Sequence, residues 1–182
     1  MSRYCIRHEP QRCIACRACE LHCQSSHGLS PDVKPGVLLV EDTAGPSGEE
    51  RCHVAFRPCF HCENPWCVAV CPTRAIVTDP QDGLVRIDAA KCVGCRACVE
   101  ACPWGVPQYD ATTGKAVKCD GCADRVRAGS LPACVAACTT HALSFSVPNA
   151  VVRRVRQDYA RSKLVKRIMT TALNIQEERN SP

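Results

Sequence analysis

Cys92-Val93-Gly94-Cys95-Arg96-Ala97-Cys98-Val99-Glu100-Ala101-Cys102-Pro103 decides how this chain of 182 residues is read. Three cysteines stand at two-residue gaps, and a fourth follows after three more residues. The pattern recurs on both sides. Upstream lie Cys13, Cys16, Cys19 and Cys23 with the same gaps, then Cys59, Cys62, Cys67 and Cys71 with Pro72 after them. Downstream lie Cys119, Cys122, Cys134 and Cys138, whose middle gap widens to 11 residues. Sixteen of the 18 cysteines belong to this internal repeat, and it organises most of the chain.

The spacing has a chemical reason. An iron–sulfur cubane offers four iron corners, each needing one thiolate. Three closely spaced cysteines curl around one cube, and backbone N–H groups of the loop stabilise its negative charge. The fourth cysteine lies about one helical turn further on and faces away, where it reaches a neighbouring cluster. Four quartets therefore predict four [4Fe–4S] clusters in two reciprocal pairs. Zinc prefers two separated cysteine pairs to three thiolates in seven residues, so only the fourth quartet resembles a zinc site. Spacing alone leaves open which quartets pair: second with third and first with fourth, or first with second and third with fourth.

Composition agrees. Only 8 residues are Phe, Trp or Tyr, so an ordinary aromatic core is not expected, and inorganic centres take its place. The start carries no apolar stretch of signal-peptide length and no run long enough to cross a membrane. The expected location is cytoplasmic, where thiols stay reduced and dense cysteines indicate metal. The formal net charge of +5 is uneven: residues 1–150 hold 15 basic and 15 acidic side chains, and residues 151–182 hold 8 and 3. Each oxidised cluster with its thiolates adds about −2, which turns the loaded protein to about −3 with a basic tail.

The stretch from Cys92 to Pro103 resembles a bacterial ferredoxin motif. The ordered set of four quartets, with Asn64-Pro65-Trp66-Cys67 and Lys118-Cys119-Asp120-Gly121-Cys122-Ala123-Asp124-Arg125, resembles one family over about Cys13 to Leu143. That family is the four-cluster iron–sulfur electron-transfer subunit of molybdenum or tungsten pterin oxidoreductases, of the dimethyl sulfoxide reductase, formate dehydrogenase and formate hydrogenlyase type. The resemblance implies a pairing. Cys59, Cys62 and Cys67 would share a cluster with Cys102, and Cys92, Cys95 and Cys98 with Cys71. Cys13, Cys16 and Cys19 would take Cys138, and Cys119, Cys122 and Cys134 would take Cys23. Two departures stand out: Gln24 follows Cys23, and Thr139-Thr140-His141 replaces the family's Pro-Thr-Gly after Cys138.

The expected fold class is α+β: two tandem bacterial-ferredoxin-like dicluster modules plus a C-terminal amphipathic helix. Residues 1–52 with 105–147 would form one module, 53–104 the other, and 148–182 the basic helix and tail. Val37–Val40 with His53–Phe56, and Ala75–Val77 with Leu84–Ile87, read as hairpins. Residues 42–51 between the first pair read as an exposed loop. Short helices are expected around 96–101 and 132–138, and residues 150–176 show helical periodicity. Cys5 and Cys52 read as buried small residues, Trp66 and Trp104 as shields against water, and His22, His61 and His141 as neighbours that tune clusters.

No nucleotide loop or nucleophile–base arrangement is present, so the chain reads as a non-catalytic carrier of single electrons. Its partners would be a catalytic molybdenum- or tungsten-pterin subunit, such as a formate or aldehyde oxidoreductase, and a second redox partner of flavin/NAD(P), hydrogenase or ferredoxin type. Self-association through the C-terminal helix is a further expectation, and nucleic acid is not an expected partner. The competing reading is a zinc-stabilised module contacting nucleic acid or protein through that basic helix.

Overall fold

The computed structural model describes residues 4–44 and 50–146. The helix expected over 150–176 lies outside them. Four two-stranded sheets and short helices surround the cysteines. In chain order the elements are β1 Cys5–His8, a 3-10 turn Pro10–Arg12, α1 Ala18–His27, β2 Val37–Ala44, β3 Glu50–Arg57, α2 Trp66–Ala69 and β4 Ile76–Thr78. Then come β5 Val85–Ile87, α3 Ala97–Ala101, β6 Gln108–Asp110, β7 Lys115–Val117, α4 Ala123–Arg127, α5 Ala133–Ala136 and β8 Leu143–Ser146.

Both expected hairpins form. β2 and β3 pair antiparallel from Val37↔Arg57 to Ala44↔Glu50, so the strands run into the stretch that reads as a loop. The polar residues at 41–42 and 52–53 account for the difference, because a two-stranded ribbon exposes side chains without losing its ladder. β4 and β5 pair from Ile76↔Ile87 to Thr78↔Val85. Their turn is built by side-chain acceptors: Asp79 takes the N–H of Gln81 at 2.8 Å and Asp82 that of Leu84 at 2.9 Å. Two sheets were not expected. β6 pairs with β7, and β1 pairs with β8, joining the two ends of the cysteine region.

The helices expected around 96–101 and 132–138 form as α3 and α5, and α1, α2 and α4 join them. Each carries the third cysteine of its quartet except α4, and α2, α3 and α5 end before the fourth. Pro72 and Pro103 explain two of these stops, since a residue before proline is pushed out of helical geometry. Gln24 imposes no such stop, so α1 runs past Cys23 to a left-handed cap at Gly28 (φ 58). Where the helices stop, a turn closes back on the fourth cysteine. The N–H of Arg74, Gly105 and His141 bonds to the carbonyl of Cys71, Cys102 and Cys138 at 3.2, 3.1 and 3.0 Å, and each of these residues has positive φ.

Two apolar cores divide the cysteines. One gathers Cys19, Leu38, Phe56, Cys134, Val135 and Leu143, with Cys13 and Cys138 against it. The other gathers Ile76, Val85, Cys98 and Ala116, with Cys67, Cys71 and Cys92 against it. Quartets one and four therefore share one core, and two and three the other. A polar clamp joins the β4–β5 turn to α4: Arg86 and Arg127 both reach Asp79, at 2.6 and 2.9 Å, and Asp82, at 3.1 and 2.8 Å.

Candidate metal centres

The residue before the second cysteine is left-handed in every quartet: Ala15 (φ 55), His61 (φ 45), Gly94 (φ 69) and Gly121 (φ 74). This repeated kink turns each Cys-x-x-Cys loop back on itself. At Gly94 no other residue fits, because an added Cβ would lie 2.1 Å from the Gly114 carbonyl oxygen.

The loops bring cysteines together across long sequence distances. Cys59, Cys62 and Cys67 line a cavity of about 250 Å³ with Cys102. Cys119, Cys122 and Cys134 line a cavity of about 360 Å³ with Cys23. A narrower cleft of about 20 Å³ holds Cys92, Cys95 and Cys98 beside Cys71. Cys13, Cys19 and Cys138 pack on one apolar core, and Cys16 of that quartet is exposed.

The donor sets suit an iron–sulfur group. Burial pushes Cys19, Cys98 and Cys119 up to about 11 and Cys23 up to about 12, with neighbouring sulfurs adding repulsion. Cys134 is raised further by burial and by Cys119, Cys122 and Cys23. Sulfurs this crowded become thiolates only when a cation compensates them. Backbone donors already face several. Gly36 and Ala133 direct N–H groups at Cys23 and Cys122. Ala116 donates to Cys92 Sγ at 3.4 Å. At Cys71 burial is outweighed by the N–H groups of Ile76, Ala75 and Thr73 and the Thr73 hydroxyl, which hold the thiol below its usual value.

Thr73, Thr140, Lys118 and His27 bring side chains to the sulfurs of Cys71, Cys138, Cys59 and Cys122. Lys118 Nζ donates to Cys59 Sγ at 3.7 Å. His27 Nε2 lies 3.4 Å from Cys122 Sγ and 3.6 Å from Asp120 Oδ1. His61 is buried, and burial together with the charges of Lys118 and Arg86 lowers it to about 3. The neutral ring accepts the Val85 N–H on Nδ1 at 2.9 Å, which leaves a proton on a buried Nε2 that has no partner among the described residues. His27 had no sequence signal, since 95 residues separate it from Cys122. His22 and His141 are exposed. Trp66 and Trp104 line the Cys59 cavity but are themselves 66 % and 50 % exposed, so they are no complete shield. Cys52 is exposed and Cys5 only half-buried, against the expectation for both.

Glu20 supports α1 from within. It is 2 % exposed, accepts the Leu38 N–H at 2.7 Å, and pairs with Arg17 at 3.1 Å and Lys34 at 3.5 Å.

Two family matches cover nearly all of the described residues, each to a 4Fe-4S dicluster domain, over residues 12–75 and 50–148. Among curated relatives, the B subunit of anaerobic dimethyl sulfoxide reductase of Escherichia coli (strain K12) is 38 % identical over 176 residues, spanning 92 % of this chain and 84 % of that protein. Thiosulfate reductase electron transfer subunit PhsB of Salmonella typhi is 40 % identical over 150 residues, 79 % of this chain and 76 % of that protein. Protein NrfC of Escherichia coli (strain K12) is 36 % identical over 144 residues, 79 % and 65 %. Two dicluster domains carry four [4Fe–4S] clusters, and the chain belongs to the 4Fe–4S dicluster family, among the iron–sulfur electron-transfer subunits of which the dimethyl sulfoxide reductase B subunit is one.

Proposed function

We propose that this chain carries single electrons between a molybdenum- or tungsten-pterin catalytic subunit and a second redox partner. The observation that carries the reading is the convergence of cysteine triples on a fourth cysteine from another quartet. The proposed ligand sets are Cys59, Cys62, Cys67 with Cys102; Cys92, Cys95, Cys98 with Cys71; Cys119, Cys122, Cys134 with Cys23; and Cys13, Cys16, Cys19 with Cys138. The groups held there supply one-electron couples near physiological potentials. The protein's part is to hold the sulfurs in fixed loops, aim N–H donors at them, and exclude water from the buried sets. The modules are 1–52 with 105–147, and 53–104, and the first and second apolar cores support this division.

The names of the relatives favour a reductase of small sulfur oxo-compounds over the formate or aldehyde oxidoreductase expected from sequence. For the second partner, flavin/NAD(P), hydrogenase and ferredoxin types remain the candidates. Among the described residues no helix is long and apolar enough to cross a membrane. The zinc-stabilised alternative is not favoured by the dicluster matches.

Co-purification from the native host, with iron and labile sulfide measured on the complex, tests the reading. A pterin-containing subunit and about 16 iron per copy of this chain are expected. About eight iron would remove half of the proposal, and a zinc-loaded, colourless chain would remove all of it. For the ligand sets, Cys59→Ser and Cys102→Ser are expected to alter the same electron paramagnetic resonance signal, and Cys92→Ser and Cys71→Ser another. Signals that segregate by quartet instead refute the pairing.

A further inference from the structure

Lys118 is the only buried Lys or Arg among the described residues, at 7 % exposure. Its ammonium donates to the carbonyl oxygens of Val85 and Cys119, the second at 2.8 Å, and to Cys59 Sγ at 3.7 Å. Among the described residues no carboxylate forms an ion pair with it. Glu20 shows the contrast: that buried charge has two cationic partners. A buried ammonium satisfied only by carbonyl dipoles is costly, and proteins pair such charges or place them against a metal centre. Lys118 lines the cavities of both the Cys59 set and the Cys119 set. Towards Cys119 it meets a backbone carbonyl, whereas towards Cys59 it meets the sulfur itself.

We propose that Lys118 is the counter-ion of the [4Fe–4S] group held by Cys59, Cys62, Cys67 and Cys102, and that it sets this site's reduction potential above the value the same site has without it. The inference rests on the ligand set proposed above. When the site takes one electron from its redox partner, no bond forms or breaks and no proton is transferred. Its net charge, thiolates included, becomes one unit more negative. A fixed positive charge at the sulfur therefore stabilises the reduced form more than the oxidised one. Lys118 acts here as a positioning charge: it holds no iron, and the β5 and Cys119 carbonyls aim it.

The test uses the full four-cluster chain in a redox titration followed by electron paramagnetic resonance. Cys59→Ser and Cys102→Ser first identify the signal of this site; if they alter different signals, the ligand set fails and not the role of the charge. In Lys118→Met, with iron content unchanged, the reduction equilibrium of that one signal is expected to fall at least tenfold, about 59 mV for one electron. The signals of the Cys13 and Cys92 sites are expected to stay in place, and that of the Cys119 site, whose cavity Lys118 also lines, to move less. Lys118→Arg, which keeps the charge, is expected to stay close to wild type. A fully loaded Met variant with an unmoved potential overturns the proposal.

If the Met variant loses iron, the same question is put to the wild-type chain labelled with nitrogen-15 lysine. A hyperfine coupling from lysine nitrogen to the reduced site, absent in labelled Lys118→Arg, supports the proposal, and its absence in wild type overturns it.

Discussion

Gly94→Ala tests whether backbone geometry, rather than side-chain packing, holds the third quartet. The new methyl carbon would stand 2.1 Å from the Gly114 carbonyl oxygen. An ordinary contact needs well over 3 Å, so the two loops must part by about 1 Å. The Gly114 side resists. Asp110 accepts the Thr112 N–H at 3.0 Å and the Thr113 hydroxyl at 2.9 Å, and its carbonyl accepts the Gly114 N–H at 2.9 Å. Parting the loops also pulls Arg96 off the Tyr109 ring, 3.9 Å away, and Ala116 N from Cys92 Sγ, 3.4 Å away. The left-handed backbone (φ 69) costs an L-residue about 1–2 kcal/mol, and forced overpacking adds about 1–3 kcal/mol. The combined penalty of about 2–5 kcal/mol falls on the loop that carries Cys92 and Cys95. Gly105→Ala is the control, since φ is 62 there and nothing lies within 4 Å; it carries only the conformational cost. Iron per chain and the thermal loss of absorbance near 400 nm, measured without oxygen, decide the matter. Gly94→Ala is expected to fall from about 16 iron to about 12, while Gly105→Ala keeps its iron. If the two variants load and melt alike, the close approach to Gly114 carries no weight and the reasoning fails.

Three further outcomes follow. His141 occupies the left-handed position that Gly105 fills after Cys102, so His141→Gly is expected to stabilise the chain by about 0.5–1 kcal/mol, read as a higher melting temperature; a lower one counts against strain at that turn. Glu20→Ala removes the acceptor of the buried Leu38 N–H and is expected to cost about 1–3 kcal/mol, whereas Glu20→Gln, which keeps an acceptor, costs less; equal losses would place the effect on the ion pairs instead. Reloading the cluster-free protein with iron and sulfide must deprotonate thiols raised to about 11 or 12. Thiolate is scarce below those values, so uptake is expected to accelerate as pH rises from about 7 to about 9, with protons released; a rate independent of pH in that range contradicts it.

The residues legible in advance were those whose meaning is local. The spacings of sixteen cysteines announce four clusters because a cubane takes three of its thiolates from a short loop. The β4–β5 hairpin was readable because Asp79-Pro80-Gln81-Asp82-Gly83 is turn chemistry between apolar runs. The length of β2 and β3 was not, because the outer part of that ribbon carries polar residues that a periodicity argument assigns to a loop. α3 and α5 were legible from the three-residue gap between the third and fourth cysteines, which spans about one helical turn.

What only the tertiary structure decided are relations between distant residues. Spacing does not say beside which triple a fourth cysteine comes to lie. That depends on the folding of hairpins that bring Cys102 beside Cys59, and Cys23 beside Cys119. The same holds for Lys118, which meets Cys59 from 59 positions away, and for His27 at Cys122. A sequence sets geometry over a few residues, where bond lengths and turn angles leave little freedom. The neighbours of a buried charge are set by the whole packing of the chain, and here that packing places one ammonium, with no carboxylate partner among the described residues, against one sulfur.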